Sequence, residues 1–277
     1  MAHNKSAWIF CVGRELLEGI VLDRNAHYIA TRLSDQGIKV RSIQTVDGVL
    51  EEMAAALRAA LATRPDYVFC TGGLGPAHDD ITRDAVAEVT GCPLVLDPLA
   101  VKMIEISYRR LHAKGVTHDP AMNESRLRMA KVPKGTKLLE NPIGAGPACV
   151  LESKGTTFII LPGVPEEMQR LFSLHIAPML REAGAGSVRK TRAVEYGGRD
   201  ESAIARVLAD TARRFPGVST RTIRHGTEEG VTIRITLFGE GTDARALDEL
   251  LDRAEADLRA RLGVELANQA SADFEES

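Results

Sequence analysis

Short apolar runs and segments of helical period alternate along the first two thirds of the chain, and this alternation narrows the fold more than any other feature. Ala7 to Val12 is an apolar run ending at Gly13, as a buried parallel strand reads. Ala26, Ile29, Ala30 and Leu33 then recur at helical spacing, and Gly37 stands where a helix C-terminal glycine belongs. Ile38 to Val46 reads as a second strand, Leu50 to Arg64 as a helix and Asp66 to Cys70 as a third strand. Helical patterns follow at Ile81 to Thr90, Pro98 to His112 and Ala121 to Ala130. Ala148 to Ser153 and Thr156 to Leu161 flank Lys154-Gly155 as a hairpin, and Pro165 suits the first position of a further helix. The pattern predicts an α/β fold: a mostly parallel sheet with helices on both faces.

At 277 residues the chain is long for one compact domain and comfortable for two. The small, flexible stretch Ala183-Gly184-Ala185-Gly186-Ser187 places the boundary, giving a first domain over 1–182 and a second over 188–265. The second reads β-α-β-β-α: a strand near Thr191 to Tyr196, a helix from Asp200 to Arg214, strands near Val218 to Arg224 and Val231 to Phe238, and a helix from Asp243 to Leu262. That order predicts a small α+β domain with helices on one face, KH-like in outline, and a disordered tail over 266–277. The four cysteines Cys11, Cys70, Cys92 and Cys149 are scattered without a C-x-x-C pair, so neither a zinc site nor a disulfide framework is indicated. A net charge of -3 with both signs interspersed, and no basic G-x-x-G loop, argues against nucleic acid as a partner. No run approaches a membrane span and no signal-like block opens the chain, so a cytoplasmic protein is expected.

The densest chemistry lies in CTGGLGPAHDDIT, residues 70–82, directly after the third strand. Thr71, Gly72, Gly73 and Gly75 can turn backbone N–H groups toward a phosphate, and the following helix adds its dipole; a plain tight turn is the competing reading. Asp79 and Asp80 exceed what one helix cap requires. Two carboxylates beside a phosphate cradle call for a cation, and magnesium takes one or two carboxylates together with substrate phosphates. Gly13, Arg14 and Glu15 end the first strand and Asp47 ends the second, where ligands bind in such sheets. Asp47 could instead form a turn with Gly48, and Glu15 could serve only the helix dipole. Arg14 offers bidentate phosphate contacts or is a surface arginine, and Arg83 pairs with a phosphate or with Asp79. Asn141, Pro142, Pro162 and Gly163 belong to loops that could close over a nucleotide; Glu166 and Glu167 read as helix-start acids, and His78 as a neighbour.

VGRELLEGIVLDRNA from Val12, TGGLGPAHDDIT from Thr71, and NPIGAGPACVLE followed by LPGVPEEM between Asn141 and Met168 together resemble the competence/damage-inducible protein A (CinA) family. YGGRDESAIARVL from Tyr196 extends the resemblance into that family's small second domain. The resemblance implies the molybdopterin-binding fold also seen in MogA and MoaB proteins, and it marks Asp80 as the shared site position. It also implies a metal-dependent pyrophosphatase that splits ADP-ribose, or, as in MogA-type relatives, transfer of AMP to molybdopterin. The nicotinamide mononucleotide deamidase activity of full-length members is not expected, since this chain ends soon after the second domain. Arg14, Asp23, Ala77 and Gly146-Pro147-Ala148 depart from the family's usual residues, which touches substrate preference more than fold.

The reading that follows is a hydrolase acting on ADP-ribose-like dinucleotides. The glycine loops hold the diphosphate, Asp80 with Asp47 or Asp79 holds a divalent cation (magnesium or a similar transition metal), and Glu15 or Asp79 is available as base. Molybdopterin adenylylation and a non-catalytic nucleotide- or pterin-binding regulator are the alternatives. A homo-oligomer is expected, with packing or assembly as the role of the second domain.

Overall fold

A computed structural model of the chain describes residues 5–183, 188–197, 200–227 and 230–275. Two compact units emerge, the first Met1–Ser34 with Ile38–Ala185 and the second Asp35–Gly37 with Gly186–Ser277. Of the boundary stretch expected at 183–187, residues 184–187 lie outside the described residues.

In chain order the first unit holds β1 (Ser6–Val12), α1 (Arg14–Leu17), α2 (Arg24–Asp35), β2 (Lys39–Val46), α3 (Leu50–Ala62), β3 (Tyr67–Thr71), α4 (Thr82–Thr90), β4 (Leu94–Leu96) and α5 (Pro98–Ala113). It continues with α6 (Glu124–Met129), β5 (Lys131–Pro133), β6 (Lys137–Leu139), β7 (Ala148–Ser153), β8 (Thr156–Leu161), α7 (Pro165–Leu171), a π-helical turn (Phe172–Ile176) and α8 (Ala177–Glu182). The main sheet has the order β2-β1-β3-β8-β7-β6. β2, β1, β3 and β8 are mutually parallel, and β7 and β6 extend the sheet antiparallel. The β7–β8 hairpin turns through Lys154 and Gly155, at φ 50° and 83°, as a two-residue turn with left-handed central residues.

Strand alternation explains why helices cover both faces. Ile9, Cys11, Phe69 and Ile159 face one core, closed by Ile29 and Leu33 of α2, Met168 and Leu171 of α7 and Phe172 of the π turn. Phe10, Val68, Cys70 and Ile160 face the other, closed by Met53 and Leu57 of α3 and Val86 of α4. Each central strand is therefore buried on both sides, which is why it reads as a nearly continuous apolar run. Cys11, Cys70 and Cys149 are free, buried thiols, and burial pushes Cys149 up to about 11. The short strands β4, β5 and β6 have no signal in the sequence; β4 and β5 pair as a separate two-stranded sheet.

The second unit contains β9 (Val188–Tyr196), α9 (Glu201–Arg214), β10 (Val218–Thr227), β11 (Gly230–Gly241) and α10 (Ala244–Glu275). Its antiparallel sheet has the order β10-β11-β9. Val194 and Tyr196 of β9 and Ile233, Ile235 and Leu237 of β11 share one core with Ile204 of α9 and Leu251 and Leu258 of α10. Asp200 caps α9 by accepting the Ser202 N–H at 2.8 Å. Residues 266–275, expected to be a disordered tail, continue the backbone of α10. The physical reason is propagation: a packed segment ending near Leu262 nucleates the helix, and alanine, leucine, glutamate and glutamine add to it at little cost, with no proline to stop them. No helix among the described residues is long and apolar enough to cross a membrane.

Candidate functional site

The parallel register carries four strand ends to one edge of the sheet. Val12 of β1 pairs with Val46 of β2, Cys11 with Thr71 of β3, and Thr71 with Leu161 of β8. The ladders run one residue further, with Gly13 N–H donating to Val46 O and Gly72 N–H to Leu161 O, both at 3.1 Å. Beyond these ends the loops 13–15, 47–48, 72–80 and 162–164 surround a cleft of about 540 Å³. A crevice past the carboxyl ends of parallel strands is where this architecture binds ligands.

The glycine loop is shaped by close packing as well as by turning. Gly72 and Gly73 sit at φ 94° and 63°, and a Cβ on Gly72 would lie 2.2 Å from Val12 O. A Cβ on Gly73 would meet Thr82 Oγ1 at 2.3 Å. Thr82 anchors the loop from the start of α4: its hydroxyl donates to Gly72 O at 2.8 Å and its N–H to Gly73 O at 3.2 Å. Arg83, 3% exposed, donates from Nη2 to Leu74 O at 2.7 Å. The carbonyls of the loop thus point to partners in α4, whereas the N–H groups of Gly73, Leu74 and Gly75 meet no acceptor among the described residues. Gly73, Leu74 and Gly75 all line the cleft. Consecutive unpaired amides in a left-handed turn form a concavity suited to an anion.

Glu15 of α1 and Asp47, Asp79 and Asp80 from two loops bring carboxylates to the same cleft. Asp80 Oδ2 accepts the Ala77 N–H at 2.7 Å and so folds the loop back on itself. Neither Asp79 nor Asp80 caps α4, whose N-cap position is Ile81 with no side-chain bond. Asp47 Oδ2 receives Arg14 Nη2 at 2.8 Å and Nε at 3.0 Å, while its Oδ1 takes the Gly48 N–H at 2.7 Å. The Arg14 guanidinium and that amide hold the Asp47 carboxyl below the usual range. Among the described residues no group of three or more His, Cys, Asp or Glu side chains is gathered tightly enough to form a metal cage. The set does suit a cation completed by ligand phosphates, because hard oxygen donors are what magnesium takes.

Tyr108, Met129, Gly146 and Glu167 supply another part of the lining. Tyr108 stacks one face on the Arg126 guanidinium, 3.7 Å from the ring centroid. Glu167 Oε2 accepts Asn141 Nδ2 at 2.7 Å, and Asn141 is itself locked by the N–H groups of Ile143 and Gly144, at 3.1 and 2.8 Å. A Cβ on Gly144 would lie 1.8 Å from Glu167 Oε2, so that loop admits the carboxylate only because residue 144 is glycine. Burial pushes the Glu167 carboxyl above its usual range, opposed by the Asn141 bond and by Arg110.

The family model described as "Probable molybdopterin binding domain" matches residues 8–182. A protein of Pyrococcus horikoshii is 40% identical over 76% of this chain and 80% of its own length. A CinA-like protein of Myxococcus xanthus is 31% identical over 93% of this chain, which spans 59% of that protein. The crystal structure of the protein CinA from Thermoplasma acidophilum, of unknown function, matches at a TM-score of 0.57 and 35% identity, covering 63% of this chain and 99% of that one. The chain belongs to the CinA-like family.

Against this CinA-like fold, the expected site residues divide into two groups. Gly13, Arg14, Glu15, Asp47, Gly72, Gly73, Gly75, Asp79, Asp80, Pro162 and Gly163 meet at the cleft. Thr71, Arg83, Asn141 and Pro142 are not among its lining residues. Thr71 is 2% exposed, accepts Asn25 Nδ2 at 2.9 Å and donates to Pro162 O at 2.8 Å. It positions two loops from beneath. Arg83 does the same for Leu74, and Asn141, also 2% exposed, holds Glu167. Arg83 makes no hydrogen bond or ion pair with Asp79; its buried guanidinium donates to a backbone carbonyl of the glycine loop. Glu167, read from the sequence as a helix-start acid, belongs to the cleft. Its signal was the pairing of the NPIGAG and LPGVPEEM motifs; Tyr108 and Met129 carry none, since they reach the site from α5 and α6 through packing alone.

Proposed function

We propose that the cleft binds a phosphate-bearing nucleotide or pterin and, with a divalent cation, performs chemistry at its phosphoanhydride. The observation that carries this reading is the run of unpaired amides at Gly73, Leu74 and Gly75 beside the carboxylates Asp79 and Asp80. Amides alone would select an anion, and carboxylates alone would repel one; together they suit a diphosphate bridged to a cation. Asp80 with Asp79 or Asp47 would hold that ion. When bound it offsets the negative charge that grows on the phosphate oxygens. Arg14 keeps Asp47 ionised and oriented at the mouth of the cleft, and Glu15 or Asp79 stands ready to take a proton from an attacking hydroxyl.

With water as the acceptor, an O–P bond forms, the anhydride P–O bond breaks and the water proton passes to the carboxylate, so an ADP-ribose-like dinucleotide yields two monophosphates. A second acceptor is supported by the match to a molybdopterin-binding domain model: the same cleft could join AMP to a pterin phosphate with loss of pyrophosphate. Both reactions are read by incubating the protein with ADP-ribose, or with ATP and molybdopterin, with and without magnesium or manganese. Asp80→Asn keeps an acceptor for the Ala77 N–H but removes the charge, so metal-dependent turnover is expected to fall by about 10²-fold or more while the melting temperature moves little. Undiminished turnover in Asp80→Asn removes Asp80 from the chemistry, and failure of the wild type to bind or convert either ligand overturns the proposal.

A further inference from the structure

A second cavity, of about 360 Å³, lies behind the glycine loop, with Gly75 and Asp80 in the walls of both. Its other walls come from α4, β4, α6 and β5, and three of its lining residues are cationic: Arg83, Arg128 and Lys131. Arg83 is 3% exposed; Nη2 is spent on Leu74 O, and Nη1 is buried without a hydrogen-bond partner. A buried guanidinium nitrogen left unpaired is costly, and few are tolerated in a folded chain. Arg128 gives Nη2 to Ala77 O at 3.0 Å, which leaves the rest of its fork uncommitted, and Lys131 is exposed with no ion-pair partner among the described residues.

Three carboxylates share the cavity, and their positions decide its sign. Asp84 and Glu124 are exposed, as are Arg128 and Lys131, so water screens these four charges alike. Asp80 is already turned to the Ala77 N–H. The most deeply buried polar group is therefore the Arg83 guanidinium, with Arg128 and Lys131 also lining the cavity.

We propose that this cavity is a separate oxyanion site, taking a phosphate or carboxylate group between Arg83, Arg128 and Lys131. A guanidinium fork matches such an anion with two parallel bonds, and Arg128 and Lys131 offset the carboxylates of the lining. Because Asp80 and Gly75 form the partition, an anion seated here presses on the loop that shapes the main cleft. The site is thus placed to act as an effector pocket for a small phosphorylated or dicarboxylate compound. It is independent of which reaction the main cleft performs.

The test uses the full chain and inorganic phosphate. Side-chain ¹H–¹⁵N spectra are expected to show the Arg83 Nε signal moving on titration, with an apparent Kd weakened about tenfold or more in Arg128→Ala/Lys131→Ala. Both substituted residues are exposed, and because Arg128 also holds Ala77 O, Lys131→Ala alone, which keeps that bond, is expected to weaken phosphate in the same direction. Arg83→Lys, which retains the charge but loses the fork, is expected to weaken phosphate to a similar degree. An Arg83 signal unmoved by phosphate, or equal affinity in the double variant, overturns the proposal. So does strictly competitive binding of phosphate and ADP-ribose, since coupling through the shared loop gives a weakening that saturates, whereas mutual exclusion would make the cavity an arm of the main cleft.

Discussion

Asn141 and Glu167 show how one buried amide can set the state of a site carboxylate. All polar positions of the Asn141 side chain are used: Oδ1 accepts two loop N–H groups, and Nδ2 donates to Gly146 O at 3.1 Å and to Glu167 Oε2 at 2.7 Å. Asn141→Ala strands those partners in a poorly hydrated loop, and a loss of about 1–3 kcal/mol in denaturant melts is expected. The carboxyl of Glu167 is raised above its ordinary 4.5 mainly by burial. The native state then keeps a proton that the unfolded chain has released, so stability falls as pH rises from about 4.5 through the raised native value. Glu167→Gln, which cannot titrate, is expected to flatten that part of the stability profile, as measured by urea melts at a series of pH values. An unchanged slope would assign it to another group.

At the scale of elements, the turn from β3 into α4 depends on two consecutive left-handed glycines. Gly72→Ala forces a Cβ to 2.2 Å from Val12 O at a φ of 94°, so the clash and the strained dihedral act together. A loss of about 2–4 kcal/mol is expected, read as a lowered melting temperature, together with loss of nucleotide binding. By contrast Gly91, also at positive φ, has open space where a Cβ would go, so Gly91→Ala carries only the dihedral cost and is expected to be milder, about 1 kcal/mol. The first turn of α4 is instructive in another way. Two aspartates precede it, yet its start is held by Thr82 and by packing, which frees Asp79 and Asp80 for the cleft.

Over the whole molecule, each unit has a core of its own, so core damage is expected to stay local. Leu258→Ala empties a fully buried position shared by α10, β9 and β11 and should cost about 2–5 kcal/mol. Hydrogen exchange is expected to accelerate at β9 and β11 amides while β1 and β3 keep their protection; equal loss in all four strands would contradict separate cores. The period of the apolar residues was enough to place the parallel strands and the helices on both faces, because a strand buried on two sides and a helix buried on one leave different spacings in the chain. It was also enough to locate the strand-end loops, since glycines and carboxylates crowd where the backbone must turn and a ligand must be met. Only the tertiary structure decided which of those residues touch the cleft. Thr71, Arg83 and Asn141 are as polar as their neighbours in sequence, yet each is buried and spends its hydrogen bonds on holding a loop. Tyr108, Met129 and Glu167 arrive from helices far along the chain. Burial and long-range contact are properties of the packed sheet and its helices, and no local pattern of residues encodes them.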